Sequence, residues 1–464
     1  MSEAFIWGSS GFIALYFLRL NRNNFYSLAL ASVGLLDDIL KTEDDDEKLI
    51  RVQKNTKELI MLLIKVFVLI FVCITIFLIW IYFLELILSI DLNKNDPSII
   101  AFSIGASIPF FIPIKNSSSY SEVSQLFHKL ILDNPNLGLR LLKREIKKYS
   151  SRSEKKEKFL IVSGLARSGT TSMMNALSKN QIFDSLSYSN MPFLLSPKTW
   201  AKVYRPSGKK RKERRHGDGI FVNENSNEAL EEYFFKSILK DSFITSSSLV
   251  KHTLSEESYE LYLRYQGLIS VSPKKYYLAK NNNMLLRYES LRNFNKNFIF
   301  LLLFRDPLSH AFSLYQMHKK FSSEQEKDPF IIEYMNWLVH HEFGLNHKYF
   351  NLDKSKINGD KSTLNYWLKN WINFYRHAEK IKDENTYFIC YETYCENPNF
   401  ILNKILKKFN SPLVIESKPY LQRKEVKEKY SAEILNEARE IAKYCDTNNW
   451  NSIWFTEHHF NHEG

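Results

Sequence analysis

The sequence has few cysteines, few glycines and a shortage of acidic relative to basic residues, and each feature narrows the class of protein. Four cysteines in 464 residues, with no Cys-x-x-Cys pair and no zinc-type Cys/His spacing, exclude a disulfide scaffold and indicate inert thiols in a reducing compartment. Lys and Arg number 63 against 51 Asp and Glu, a net charge of +12 that favours an anionic partner. We find no nucleic-acid recognition motif, so nucleic acid is not the expected partner.

The remaining composition, 25% charged and 44% hydrophobic residues, excludes a mainly disordered chain. Long apolar runs are confined to the region near the N-terminus, where Leu59 to Ile90 is interrupted only by Lys65 and Glu85. Because a spanning helix needs about 20 apolar residues, we predict membrane spans at about 66–90 and 98–115, joined as a hairpin, and a possible interfacial helix at 4–20. The alternative is a buried core hairpin of a soluble protein.

Basic residues flank this hairpin on both sides, whereas its connecting loop carries only Lys94. The positive-inside rule therefore puts both flanks in the cytoplasm and predicts a multi-pass protein whose partner is the lipid bilayer. We divide the chain into a membrane-anchoring region at 1–120, an amphipathic linker helix at 121–157, split at Pro135, and a soluble domain at 158–464. In that domain apolar runs alternate with helical stretches, which predicts an α/β fold with a parallel sheet flanked by helices.

The soluble domain opens with a motif suited to binding phosphate. Phe159 to Val162 is a short apolar run typical of a buried strand, followed by a turn with Gly164 and Gly169 and then by a helical start. Backbone N–H groups in such a turn and the dipole of the following helix favour an anion. The candidate binding residues are Arg167, Ser168, Gly169, Thr170, Thr171 and Ser172.

The residue after the second glycine distinguishes two readings of this loop. A nucleotide triphosphatase or kinase has Lys there to bind the β- and γ-phosphates, and this chain has Thr170. The stretch GLARSGTTS instead resembles the 5′-phosphosulfate loop of sulfotransferases that use 3′-phosphoadenosine 5′-phosphosulfate (PAPS), in the bacterial and Golgi-type branch. A P-loop nucleotide kinase stays as a rival hypothesis.

A second apolar run, Asn297 to Phe304, ends in Arg305, and Ser313 follows eight residues later on a predicted helix. This element is similar to the one that binds the 3′-phosphate of PAPS in sulfotransferases; the alternative is that Arg305 pairs structurally with Asp306 or another acid. The stretches YYLAK at Tyr276–Lys280 and YFICYE at Tyr387–Glu392 also resemble sulfotransferase strands. The resemblance covers about residues 158–409 and none of the first 120 or so.

The resemblance implies that Lys280 is catalytic, that PAPS is the cosubstrate and that no metal is needed. Relatives of the cytosolic group have a His two residues after the Lys, where this chain has Asn282, so the general base must come from elsewhere. His216 is our first candidate and Asp218 the second. Further candidates are Glu228, Glu231 and Glu232, and a pocket wall formed by His340, His341 and Glu342, although we expect the last three to lie on a solvated helical face.

Two basic segments are less specific. Lys209 to Arg215 is expected to be a solvated loop or a site for an anionic acceptor or headgroup, and Arg423, Lys424 and Lys427 are candidates for closing over the nucleotide. We therefore predict a membrane-anchored sulfotransferase that modifies a hydroxyl or amine of a glycan, glycolipid or lipid-linked saccharide. The alternatives are a catalytically degenerate membrane scaffold that binds the nucleotide product PAP, and a Golgi-lumen protein glycosylated at Asn116. The oligomeric state is left open.

Overall fold

The computed structural model describes residues 2–40, 45–88, 99–111, 122–149, 157–206, 212–213, 221–222, 226–227, 229–270, 272, 274–353, 356–411, 419 and 425–447. Its helices are α1 Ser2–Leu20, α2 Arg22–Leu40, α3 Asp45–Leu88, α4 Ile99–Phe111, α5 Glu122–Leu132, α6 Pro135–Tyr149, α7 Thr170–Leu177, α8 Pro197–Val203, α9 Glu232–Leu239, α10 Glu256–Ile269, α11 Tyr288–Phe294, α12 Pro307–Lys327, α13 Phe330–Trp337, α14 Leu364–Ile381, α15 Tyr391–Glu396, α16 Pro398–Lys407 and α17 Ala432–Thr447. Its strands are β1 Leu160–Ser163, β2 Phe183–Asp184, β3 Lys212–Glu213, β4 Phe221–Val222, β5 Ser248–Val250, β6 Tyr276–Lys280, β7 Ile299–Phe304, β8 Tyr349–Asn351 and β9 Thr386–Cys390.

The chain divides into two compact units, residues 1–137 and 138–464. In the first unit, α1 and α4 pack backbone to backbone through glycines: a Cβ added to Gly105 would lie 1.7 Å from the carbonyl oxygen of Gly8. Helix α3 packs on α1, where Trp80 Nε1 donates to Ser9 Oγ over 3.1 Å. Small residues therefore allow the close approach of helices here, as they do where helices pack in lipid.

One described helix is long and apolar enough to cross a membrane, the segment Lys48–Leu88 of α3, judged by length and composition. Only 11% of its most apolar 18-residue window is buried within the chain, which contradicts the alternative of a buried core hairpin. Of the second predicted span, 98–115, the structure describes residues 99–111, and these form a helix shorter than a bilayer span. The described helix α4 has 13 residues, about 20 Å of helix, against a hydrocarbon core of about 30 Å.

The second unit is built on a five-stranded sheet in the order β2-β6-β1-β7-β9. All four pairings are parallel, with Val162 opposite Lys280, Ser163 opposite Leu302 and Phe304 opposite Cys390. Every residue of β1 and β7 is buried, because helices cover both faces of the sheet and an apolar run satisfies both. The predicted α/β fold with a helix-flanked parallel sheet is confirmed.

Alternate residues of the central strands face different helices. On one face, Leu160 and Leu301 pack with Met174 of α7 and Leu402 of α16. On the other face, Phe304 contacts Tyr375 of α14, and Phe159 contacts Tyr262 of α10. The two layers of helices hold the central strands rigidly and therefore fix where those strands end.

The strand order creates a crevice at the carboxyl edge of the sheet. After β1 the chain leaves towards β2 at one edge, and after β7 it leaves towards β9 at the other edge. Because β1 and β7 are neighbours, the segments that follow them diverge, which is the topological switch point where open α/β sheets bind ligands. Both predicted phosphate motifs begin there.

Candidate active site

The loop that follows β1 has the shape of an anion cradle. Gly164, Arg167 and Gly169 have φ angles of +146°, +75° and +98°, in the region that favours glycine. A Cβ on Gly164 would lie 2.5 Å from both the carbonyl oxygen of Leu303 and the hydroxyl of Ser168. Two glycines and one strained Arg thus fold the loop tightly against β7 and lead directly into α7.

Helix α7 begins at Thr170, and no side chain caps its N-terminus. Its first intrahelical bond is from Met173 N to Gly169 O, so the backbone N–H groups of Thr170, Thr171 and Ser172 have no partner within the helix. With the positive end of the helix dipole, these N–H groups favour a bound anion. The loop residues predicted to bind phosphate therefore lie in one continuous turn.

The second motif meets the first. Arg305 follows β7, and its Nη1 donates to the carbonyl oxygen of Arg167 over 3.2 Å. Ser313, on α12, accepts a hydrogen bond from Arg167 Nε over 3.3 Å. Arg167, Arg305 and Ser313, which are far apart in the sequence, are therefore direct neighbours in one cluster.

The acid next to Arg305 is not its partner. Asp306 caps α12 by accepting from Ser309 N over 2.8 Å, whereas the carboxylate of Glu392 lies 3.7 Å from Arg305 Nε. Pairing with Asp306 is thus not observed, whereas the other form of that alternative, pairing with another acid, is met by Glu392 of α15. The Arg305 guanidinium also lies 5.6 Å from the ring centre of Tyr391.

Lys280 brings a third cation to this edge. It is the last residue of β6, it is 5% exposed, and its Nζ donates to Thr171 Oγ1 over 2.8 Å. A Lys from the neighbouring strand therefore reaches the first turn of α7. Beside the loop after β1, the buried atoms Ser163 Oγ, Ser168 Oγ and Arg305 Nε have no hydrogen-bond partner among the described residues.

Side chains that sequence reasoning missed hold the loop in place. Trp371 Nε1 donates to His310 Nδ1, so His310 Nε2 carries the proton and donates to the carbonyl oxygen of Ala166 over 2.7 Å. Burial, assisted by the charge of Arg305, lowers the pKa of His310 to about 3 and keeps the ring neutral. Tyr375 donates to the carbonyl oxygen of Leu303 over 2.7 Å, behind the same loop.

Two residues that were predicted as candidate general bases are instead hydrogen-bonded within a buried network behind β6. Glu232 makes a two-pronged ion pair with Arg287, and Glu231 accepts from Tyr262, Tyr277 and Asn281. Burial raises the pKa of Glu231. Because these hydrogen bonds already satisfy both carboxylates, Glu231 and Glu232 serve the packing of β6.

The segment His340–Glu342 was expected on a solvated helical face, and that expectation is wrong. Helix α13 ends at Trp337, His341 is 4% exposed and Glu342 is 8% exposed. His341 Nδ1 contacts the carbonyl oxygen of Asn346 at 2.8 Å, and burial lowers its pKa to about 3. Glu342 Oε1 accepts from Asn282 Nδ2 over 3.2 Å, so this carboxylate lies at the end of β6.

Several predicted residues lie outside the described residues: His216, Asp218, Glu228, Arg423 and Lys424. Of the basic run Lys209–Arg215, only the backbone of Lys212–Glu213 is described, as β3 paired with β4. Lys427 is exposed and lies 3.4 Å from Glu425. In the described part of the chain, no group of three His, Cys, Asp or Glu side chains could hold a metal ion.

Comparison with known proteins gives structural likenesses only. No protein-family model matches the chain, and no curated protein matches it. A sulfotransferase from Mycobacterium avium is 13% identical with a TM-score of 0.38, covering 69% of this chain and 76% of that one. A sulfotransferase from Mycobacterium tuberculosis is 14% identical with a TM-score of 0.37, covering 67% and 78%. One from Alicyclobacillus acidocaldarius is 11% identical with a TM-score of 0.30, covering 62% and 91%.

Proposed function

We propose that this chain is a membrane-anchored sulfotransferase that moves the sulfuryl group of PAPS to a hydroxyl or amine of a glycan, glycolipid or lipid-linked saccharide. One juxtaposition carries this conclusion: the loop after β1 and the end of β7 meet at Arg167, Arg305 and Ser313. A ligand at this place faces two groups of anion-binding donors that adjoin each other. PAPS carries anionic groups on the 5′ and 3′ oxygens of one ribose and matches that arrangement.

Each group of donors binds a different anionic group of the nucleotide. The N-terminus of α7 and the turn before it receive the 5′-phosphosulfate, because no side chain caps this N-terminus and the helix dipole favours an anion there. Arg305 and Ser313 receive the 3′-phosphate, as the resemblance in the sequence implies. The hydroxyls of Ser163 and Ser168, which are buried without described partners, are further donors at the first site.

Lys280 is assigned to the reacting bond. Its Nζ contacts the first turn of α7 through Thr171, so its charge lies beside the expected 5′-phosphosulfate. Sulfuryl transfer needs a cation to stabilise the negative charge that develops on the leaving phosphate oxygen. Lys280 meets that need without a metal ion.

A P-loop kinase fits the same residues less well. Such an enzyme uses a loop Lys on the β- and γ-phosphates, and this loop has Thr170 at that position. The cations here are Arg167 in the turn itself and Lys280 and Arg305 at the ends of the two neighbouring strands. Of these, Arg305 lies beyond the turn. That arrangement suits a second, separate phosphate better than a longer phosphate chain.

The membrane part of the proposal is supported by α3. Its apolar surface is exposed within the chain, and its length of 44 residues exceeds a bilayer span. With the region at 66–115 crossing the bilayer twice as a hairpin, the Lys and Arg on both of its flanks favour a cytoplasmic catalytic domain. The proposed acceptor is accordingly one that is presented at the bilayer.

The test uses the full chain in detergent micelles. Calorimetry should detect binding of PAP, and membranes that contain the protein should transfer radiolabelled sulfate from PAPS to a lipid or glycan fraction. Binding of ATP with Mg²⁺ and not of PAP would establish the kinase instead. Binding of PAP with no transfer to any fraction would favour the degenerate scaffold.

A further inference from the structure

The end of β6 carries a second polar group that the proposed site does not yet use. Asn281 N donates to the carbonyl oxygen of Val162 over 2.9 Å, which holds the turn after Lys280 against β1. Asn282, two residues past Lys280, donates through Nδ2 to Glu342 Oε1 over 3.2 Å. The carboxylate of Glu342 is therefore held at the same strand end as the Lys assigned to the reacting bond.

The hydrogen bonds of this turn fix which way the amides point. Asn282 must present its NH₂ to the carboxylate, and Asn283 presents its NH₂ to the carbonyl oxygen of Val339 over 3.0 Å. Their Oδ1 atoms are consequently acceptors, and neither has a partner in the described part of the chain. Glu342 Oε2 is likewise buried without a hydrogen-bond partner there.

Three buried acceptors, in the turn after β6 and on the Glu342 side chain that contacts it, lack a described donor. Glu342, Asn282 and Asn283 are 8%, 9% and 4% exposed, so bulk water does not solvate them freely. The nearest described cation-forming group is His340, whose Nδ1 lies 3.8 Å from Glu342 Oε2, beyond hydrogen-bond distance. Leaving a buried carboxylate oxygen unpaired is costly, and a ligand hydroxyl or amine would supply the missing donor.

We propose that Glu342 is the general base of the transfer reaction and that Asn282 holds it in place. This inference rests on the proposed function. Glu342 Oε2 takes the proton of the acceptor hydroxyl as the acceptor oxygen forms a bond to sulfur. The bond between sulfur and the 5′-phosphate oxygen breaks, PAP leaves with its electron pair, and the protonated carboxyl later releases its proton to solvent.

This assignment explains the Asn at position 282. An amide cannot accept the proton itself, but its NH₂ group orients a carboxylate that can. The base thus comes from the segment between α13 and β8 and not from the strand that carries Lys280.

The experiment compares wild type, Glu342→Gln and Glu342→Ala in membranes, with radiolabelled PAPS as donor and the endogenous membrane fraction as acceptor. Loss of a general base should lower kcat about 100-fold or more. We expect the KM for PAPS and the PAP affinity of Glu342→Gln to stay within about twofold of wild type, since Gln keeps the shape of the side chain. Added formate should restore part of the activity of Glu342→Ala.

The control is Glu289→Gln, a half-exposed carboxylate paired with Lys251, which should transfer at the wild-type rate. Transfer by Glu342→Gln within about threefold of wild type would overturn the assignment while leaving the sulfotransferase proposal intact. A large loss in His340→Asn with little loss in Glu342→Gln would move the role to His340. A wild-type protein that binds no PAP would instead refute the proposed function.

Discussion

Replacing Gly169 with Ala tests whether the turn before α7 has to keep its present shape to bind the nucleotide. Gly169 has φ +98°, a conformation that costs an L-residue about 1–3 kcal/mol. The added Cβ would also lie 2.1 Å from Tyr391 Cδ2 and 2.3 Å from Cε2, where carbon atoms normally keep about 3.5–4.0 Å. Both effects drive the turn out of the conformation that points its N–H groups at the ligand.

The expected loss of affinity follows from the backbone cost alone. If regaining the binding conformation costs the variant about 1–3 kcal/mol of free energy, its dissociation constant for PAP rises about 5- to 150-fold. The displaced Tyr391 ring adds to this, because it lies beside the Arg305 guanidinium. Calorimetric titration of the full chain with PAP measures the change directly.

The matched control is Gly359→Ala. Gly359 has φ +146°, is exposed and lies in the segment before α14, so its substitution strains the backbone without touching the loop after β1. It should leave the affinity for PAP unchanged. If folded Gly169→Ala bound PAP within about twofold of wild type, the turn would not be the phosphate site and the reasoning would be wrong.

Two further outcomes are expected. Arg305→Ala should weaken PAP binding about 10- to 150-fold, because it removes a charge-assisted hydrogen bond to the phosphate. The control is Arg376→Ala, which replaces an exposed residue paired with Glu437 and should not change the affinity. Equal affinities of the two variants in calorimetry would contradict the 3′-phosphate assignment. The free energy of unfolding should fall as pH drops below about 6.5, by up to about 1.4 kcal/mol per pH unit for each buried His, because the unfolded state binds the proton that the folded state excludes. Urea midpoints at pH 7.5, 6 and 5 measure this, and a constant midpoint would contradict it. The histidines whose pKa is lowered to about 3 are His252, His310, His341 and His347.

The sheet could be predicted from the sequence because each of its central strands is marked by residues that are adjacent in the chain. The buried strands β1 and β7 are apolar runs followed at once by a turn and a helix, and a parallel sheet brings their carboxyl ends to one edge. Arg167 and Arg305 could therefore be placed near each other without a structure. Their contact through the Arg167 carbonyl could not, since it depends on the positive φ of that residue.

The rest of the site depends on contacts between distant segments, which periodicity does not reveal. His310 supports the loop only because Trp371 and Tyr375 of α14 pack behind it. Glu342 looked like part of a solvated helix because three polar residues in a row fit that pattern, but the helix ends earlier and the carboxylate turns inward. The second span stays a prediction: its described residues form a helix of 13 residues with Pro109 inside it, and residues 112–115 lie outside the described residues.

The distribution of charge at the carboxyl edge is the strongest reason to look for a doubly anionic nucleotide. Three neighbouring strands, β6, β1 and β7, lead to Lys280, Arg167 and Arg305, each from a different segment of the chain. Three cations at one edge of the sheet repel one another, and the carboxylate nearest to Arg305, that of Glu392, lies 3.7 Å away. A single phosphate at the turn would neutralise Arg167 and Lys280 but leave Arg305 facing only that acid. An anion with a second phosphate on the same ribose neutralises all three, which is why PAP should bind more tightly than adenosine 5′-phosphate, and why that difference should disappear in Arg305→Ala.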